Sequence, residues 1–287
     1  MTGAGGETRV DLSDVTICAA DSAFVDLTAR ALTLSMDQCK FGDAILFSHA
    51  PVDGPFRFVR IPELPSVNAY SLFCMRMLPD FIKTPFVLVV QWDGYVVNGA
   101  AWAGAFRKYD YIGAAWHGVF EPGVPLVGNG GFSLRSRKLL NAVKQIPPIP
   151  SYPEDRTICH VFGKQLEQQF GIRFAPVKIA DRFSYEFRIP ETTPFGFHGI
   201  EHMWRHAQPA EFAQAVAKID VERTPPDKII NLLLNCAANG YVEALVTLYR
   251  QLTKRFGSMA IETHLRTRVG PEAAAEEMRN IERLSAA

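Results

Sequence analysis

Residues 86–94 read Phe86-Val87-Leu88-Val89-Val90-Gln91-Trp92-Asp93-Gly94: an uncharged apolar run, then an amide, an indole, a carboxylate and a glycine. A short run rich in β-branched residues predicts a strand buried on both faces. Working back from it, Val15 to Ala20 (VTICAA) predicts another buried strand that ends at the helix-start pair Asp21-Ser22, with a helix from about Ala23 to Met36. A strand over Ala44 to Phe47 and helical periodicity from Ser66 to Lys83 follow. Strands alternating with helices of this length predict an α/β fold with a mainly parallel, Rossmann-like sheet flanked by helices.

Forward of Gly94 the pattern turns aromatic and glycine-rich. AWAGAFRKYDYIGAAW and VGNGGFSLRSRKLLNAV predict short strands and long loops, with a helix from Ser136 to Lys144. Pro147, Pro148, Pro150 and Pro153 stiffen a linker that brings Glu154-Asp155 to a helix over about Thr157 to Phe170. IRFAPV reads as strand-like. From about Gln208 the chain becomes helical: Ala210 to Ile219, Asp227 to Ala238, Val242 to Arg255, and an acidic helix from Pro271, with Asn239-Gly240 as a C-cap turn. NCAANGYVEALVTLY has the pattern of one helical hairpin of a repeat protein, but a single unit makes no solenoid. The expected division is a flexible tail over 1–13, an α/β domain over 14–207 and a helical region over 208–287 that is a candidate surface for a partner or a second subunit.

The 287 residues are 48% hydrophobic and 21% charged, a balance that excludes disordered and fibrous classes. Thirty basic residues balance thirty acidic ones, so the bulk charge calls for neither nucleic acid nor an anionic membrane. Cys18, Cys39, Cys74, Cys159 and Cys236 are scattered and show no zinc spacing, which predicts reduced thiols in a cytoplasmic protein. No apolar run reaches membrane-spanning length, and MTGAGGETRVDLSD has no apolar leader core, so the expectation is a soluble chain.

Four stretches could carry chemistry. Asp93 follows a strand, and strand ends border the ligand crevice of open α/β sheets. A lone carboxylate there either caps a turn or, with a bridging cation, faces a diphosphate. Gly128-Asn129-Gly130-Gly131 lets backbone amides approach a ligand, and Asn129 can donate to and accept from sugar hydroxyls. It is neither a dinucleotide fingerprint nor a P-loop. Glu154 and Asp155 suit a first helical turn through the macrodipole, while in a transferase Asp155 could take the proton of an acceptor hydroxyl. His198, in PFGFHG, could complete a carboxylate metal site; His202 and His206 read as a partly exposed helical turn, with no HExxH pattern. The aromatics between Trp92 and Phe132, Trp102 and Trp116 among them, are core packing or a sugar-stacking face.

In this order, QWDGYVVN, YDYIGAAW, VGNGGFSLRSRKLL, PED, FAP and PFGFHG resemble a group of glycosyltransferase-like proteins known as a domain of unknown function, within the GT-A nucleotide-sugar transferase fold. The likeness spans about residues 86–199, so the 14–207 domain is expected to be GT-A-like. It implies transfer of a sugar from a nucleotide-sugar donor, a UDP-sugar being favoured, to a hydroxyl acceptor such as a surface polysaccharide or another glycan. It aligns Gln91-Trp92-Asp93 with the DxD motif of that fold, where Gln91 replaces the first acid and Asp93 alone inherits the ligand role. It makes Asp93 and His198 ligands of Mn²⁺ or Mg²⁺, Asp155 the catalytic base, and Ala20, Asp21, Gln91, Trp92, Asn129, Gly130, Gly131 and Glu154 donor- or acceptor-binding. The alternatives are a non-catalytic sugar-nucleotide or glycan-binding module on the same fold, and a sugar nucleotidyltransferase, which lacks here the Gly-rich basic loop after the first strand.

Overall fold

The computed structural model describes residues 9–118 and 121–286. The chain divides into two compact units, the first ending at His198 and the second starting at Gly199.

The first unit is built on a six-stranded sheet of order β3-β2-β1-β4-β6-β5. Its strands are β1 (Val10–Ala20), β2 (Cys39–Ser48), β3 (Arg57–Arg60), β4 (Phe86–Val90), β5 (Tyr111–Ile112) and β6 (Phe132–Ser136). β1 runs parallel to β2 and β4, and β2 to β3, while β6 is antiparallel to β4 and to β5. The mainly parallel α/β fold expected from the sequence is therefore present. Alternate residues of the central strands enter two different cores: Ile17, Ala19, Leu46, Leu88 and Val90 on one side, Cys18, Ala20, Ile45, Phe47, Val87 and Val89 on the other. Side chains of a strand alternate between faces, so a strand covered on both sides must be apolar at every position. α1 (Val25–Gln38) packs Ala29 and Leu32 into the first core, and the helical stretch 67–81 packs Phe73, Cys74 and Leu78 into the second.

That stretch is not one helix. α2 (Val67–Leu72) and α3 (Leu78–Phe81) flank a π-helical turn over Phe73–Met77. Pro79 has no N–H to continue an α-helical ladder, and the wider turn instead closes from the Leu78 N–H to the Phe73 carbonyl. The added residue rotates Met77 out to 42% exposure, although it fitted the apolar stripe in the sequence.

Other expectations need correction. β1 starts at Val10, so part of the anticipated tail is strand; residues 1–8 lie outside the described residues. β3 was not foreseen, being too short to show periodicity, whereas β5 falls in the AWAGAFRKYDYIGAAW stretch, where short strands were expected. IRFAPV is not a strand: Phe174 makes one bridge to Tyr111, and α6 (Val177–Phe183) starts directly after Pro176. α4 (Arg137–Val143) is capped by Ser136, whose hydroxyl accepts from Leu139 N–H. The helix after Glu154-Asp155 begins as a π-helical segment, Arg156–Val161, before α5 (Gly163–Phe170). β7 (Ser184–Tyr185) and β8 (Gly196–Phe197) form a separate parallel pair.

The second unit is helical: a 3-10 segment over Ile200–His206, then α7 (Pro209–Ala217), α8 (Pro226–Ala238), α9 (Val242–Phe256), α10 (Ser258–Val269) and α11 (Pro271–Ala286). It begins nine residues before the expected boundary at 207/208 because Ile200–His206 packs on α8. Gly240 at φ 72° ends α8 as the Asn239-Gly240 pair suggested, and Gly257 and Gly270, at φ 78° and 86°, separate α9, α10 and α11. No helix among the described residues is long and apolar enough to cross a membrane.

Candidate functional site

The strand order fixes where a ligand can lie. From β1 the chain steps outward to β2 and β3, then returns to place β4 on the opposite side of β1. The crevice beyond the carboxyl ends of β1 and β4 is thus a topological switch point. Asp21 follows β1, and Gln91-Trp92-Asp93-Gly94 follows β4. The Phe24 and Trp92 rings stack across this gap with centroids 4.4 Å apart.

β6 runs opposite to β4, with Val90 opposite Phe132, so the start of β6 reaches the same edge and brings Gly128–Gly131 there. β8 is joined to the chain after β4 by a bridge between Val96 and Gly196, which delivers His198. Packing around this convergence is tight: a Cβ added to Gly131 would come 2.1 Å from His198 Nε2 and 2.7 Å from Gln91 Oε1, and one on Gly94 2.8 Å from the Phe197 carbonyl. Both glycines are required by close approach.

His198 Nε2 lies 3.2 Å from Gln91 Oε1 and 3.3 Å from Asp93 Oδ1, and its Nδ1 lies 3.4 Å from Glu186 Oε1. Burial opposes charge on this imidazole, but the Asp93 carboxylate, followed by Glu186, overcomes it and raises the pKa to about 10. Glu186 Oε2 in turn accepts from Asn129 Nδ2 at 2.8 Å, and Asn129 Oδ1 accepts from Phe132 N–H. Asn129 has φ 66°, a left-handed conformation that asparagine tolerates better than most residues. It turns the N–H groups of Asn129 and Gly130 toward Asp155 Oδ2, at 2.9 and 3.2 Å. Asp155 Oδ1 accepts from Arg156 N–H. Burial and then the neighbouring Glu154 charge raise the Asp155 pKa against these bonds.

Asp93, His198 and Asp155 are thereby brought into one network through Glu186 and Asn129. Several other sequence-selected residues have roles inside the protein. Glu154 is 3% exposed and pairs with the 1% exposed Arg135 at 2.7 Å beneath Gly130, where a Cβ would meet Glu154 Oε1 at 2.1 Å. Asp21 Oδ1 accepts from Ala23 and Phe24 N–H and Oδ2 from the Thr28 hydroxyl, fixing the turn into α1. Burial raises its pKa, and the Asp93 charge adds to this. Ala20 is buried at the end of β1. His202 and His206 lie in the 3-10 segment of the second unit.

Glu186 escaped the sequence reading. Its only signal was an acid within the aromatic string FSYEF; its importance comes from strand register. Arg135 was visible in GGFSLRS, but nothing local identified its buried partner.

Among the described residues no three His, Cys, Asp or Glu side chains group as a complete metal site. Asp93 Oδ1 and Gln91 Oε1 nevertheless approach His198 Nε2 from two sides at 3.2–3.3 Å. Neighbouring ligands of an octahedral ion at about 2.1 Å stand about 3 Å apart, so each of the two oxygens stands from Nε2 at a spacing that a shared Mn²⁺ or Mg²⁺ would need. Water and phosphate oxygens would supply the rest, with Nε2 giving up its proton on binding.

A search of the curated proteins finds no match. Among solved structures, the chain is similar to a mannosyltransferase from Pyrobaculum calidifontis in complex with GDP-Man and Mn²⁺, at 15% identity and TM-score 0.39 over 98% of this chain and 87% of that one. It is also similar to apo glycosyltransferase GlyE of Streptococcus pneumoniae TIGR4 (13%, 0.39, 67% of this chain and 54% of that one) and to an active-site mutant of LgtC (10%, 0.39, 74% and 98%). Residues 56–198, which carry every group of this network from Gln91 to His198, match a family model described as a protein of unknown function (DUF5672).

Proposed function

We propose that this protein is a glycosyltransferase that moves a sugar from a nucleotide-sugar donor, a UDP-sugar in the first instance, to a hydroxyl acceptor on a glycan. The observation that carries this reading is the convergence of Asp93, His198, the Asn129–Gly131 loop and Asp155 at the switch point of a parallel sheet. Nucleotides bind α/β sheets at that position, and the motif order resembles GT-A enzymes.

A divalent cation held there by Asp93 and His198, with the Gln91 oxygen alongside, would neutralise the donor diphosphate and stabilise charge on the departing group. The protein's own residues do the remaining work. The loop from Gly128 to Gly131 presents backbone to the sugar without side chains in the way. Asn129 keeps that loop in its left-handed turn. Asp155, with its proton affinity raised by burial, receives the acceptor proton on the lone pair of Oδ1 that Arg156 leaves open. The stacked Phe24–Trp92 pair walls the crevice beside the donor site.

A second reading, a sugar-nucleotide-binding module without transfer, is favoured by Gln91, because an amide oxygen holds a cation less firmly than a carboxylate. One experiment addresses both. Thermal unfolding is followed with UDP and a panel of nucleotide sugars, with and without Mn²⁺, alongside assay of donor hydrolysis and transfer. The expected result is a Mn²⁺-dependent rise in unfolding temperature that Asp93→Ala abolishes, together with turnover. Stabilisation without turnover selects the binding module, and absence of any nucleotide effect rejects the proposal.

A further inference from the structure

We infer that Glu186 is a positioning residue that sets the orientation of His198 and, through Asn129, locks the glycine-rich loop to it. The inference rests on the proposed donor site and extends it to a residue outside the cation-facing set.

The argument starts from register. In the β7–β8 pair, Ser184 is opposite Gly196 and Tyr185 opposite Phe197, so the next residues along, Glu186 and His198, emerge side by side. The His198 N–H donates to the Tyr185 carbonyl at 2.9 Å and prolongs the ladder by one bond. Two parallel strands this short contribute little by themselves; their effect here is to place an acid against an imidazole. The carboxylate is used at both ends. Oε1 faces His198 Nδ1 at 3.4 Å, and Oε2 accepts from Asn129 Nδ2 at 2.8 Å. Both side chains are largely enclosed, Glu186 at 10% and His198 at 15% exposure.

The chemistry follows from this geometry. Two carboxylates flank the imidazole, Asp93 at Nε2 and Glu186 at Nδ1, so Glu186 holds the far edge of the ring while Nε2 faces Asp93 and Gln91. Asn129, held at its amide nitrogen by the same carboxylate, cannot turn away without releasing Glu186. A disturbance of the loop is thus felt at His198, and the reverse.

Glu186→Gln tests this in the full-length protein. Glutamine has nearly the same shape and retains an oxygen for Asn129, but it turns an N–H toward His198 Nδ1. Two N–H groups then face each other, and the ring is pushed from its place opposite Asp93 and Gln91. Mn²⁺ titration in the presence of UDP should show affinity weakened by about 10- to 100-fold, with an unfolding temperature close to that of the unaltered protein; a merely structural role predicts no loss for a variant that folds this well. Equal Mn²⁺ affinity overturns the inference. A second readout needs no metal: the Nδ1 proton of His198, sheltered by Glu186, should give a slowly exchanging downfield proton NMR signal that Glu186→Gln and Glu186→Ala remove. If the unaltered protein does not take up Mn²⁺ with UDP, the donor-site proposal fails and this signal decides for Glu186. Its loss in the variants sustains the positioning role, and its persistence overturns it.

Discussion

Gly131→Ala is the sharpest test of the site geometry, because it adds a single methyl group at the centre of the network. Gly131 is not among the glycines at positive φ, so alanine can adopt its backbone conformation and the cost comes from packing alone. The new Cβ would stand 2.1 Å from His198 Nε2, whereas ordinary contact begins at 3.4 Å. The ring must therefore retreat by about 1.3 Å, away from Asp93 and Gln91 and against Glu186. Overpacking of this kind costs about 1–3 kcal/mol; at about 2 kcal/mol, the unfolding temperature of a unit this size falls by about 4–8 °C. The functional effect should be larger, since a displacement of about 1 Å at a reacting site can cost about 100-fold. At a Mn²⁺ concentration 100 times the dissociation constant, in the presence of UDP, the native protein gains about 2.7 kcal/mol; after a 100-fold loss of affinity the gain drops to about 0.4 kcal/mol. Differential scanning fluorimetry with and without Mn²⁺ reads both effects. Gly104→Ala is the control, because a Cβ there meets nothing within 4 Å. If Gly131→Ala keeps the full Mn²⁺-dependent shift, the proposed cation face is in the wrong place.

Three further expectations follow from other contacts. Arg135→Met leaves the Glu154 carboxylate buried without its partner and should cost about 3–5 kcal/mol in urea unfolding; the double change with Glu154→Leu should recover much of this, and no recovery would show that the pair itself is not the cause. Asp155→Asn keeps an oxygen for the Asn129 and Gly130 N–H groups but turns its NH2 toward the Arg156 N–H and is no base, so it should lose no more than about 1 kcal/mol of stability and about 10²–10⁴-fold in transfer rate, whereas Asp155→Ala should lose about 1–3 kcal/mol. Full transfer by the asparagine variant would remove Asp155 as the base. In the second unit, burial, then the nearby His202 and Arg205, lower the His206 pKa from 6.5 to about 4. The unfolded chain binds the extra proton across that interval, so the stabilising preference for neutral His206 is complete above about pH 6.5 and fades toward pH 4. The stability difference between the native protein and His206→Gln should shrink over this window, and a difference independent of pH would refute the assignment.

The sequence by itself determined the alternation of buried strands and helices, since an apolar run such as Phe86–Val90 has few stable places other than a sheet covered on both faces. It also determined which short segments border the crevice, because Asp93 directly follows a strand and the glycines of 128–131 announce close backbone approach. Local patterns do not carry information about partners distant in the chain. Whether Glu154 faces a ligand or Arg135, whether Asp21 is open or engaged in the turn into α1, and the whole role of Glu186 depended on strand register and on the antiparallel insertion of β6. Pairing between segments up to a hundred residues apart leaves almost no mark on the periodicity of either one. The π-helical turn at Phe73–Met77 illustrates the same limit within a single element: one residue of extra winding around Pro79 changed which side chains reach the core.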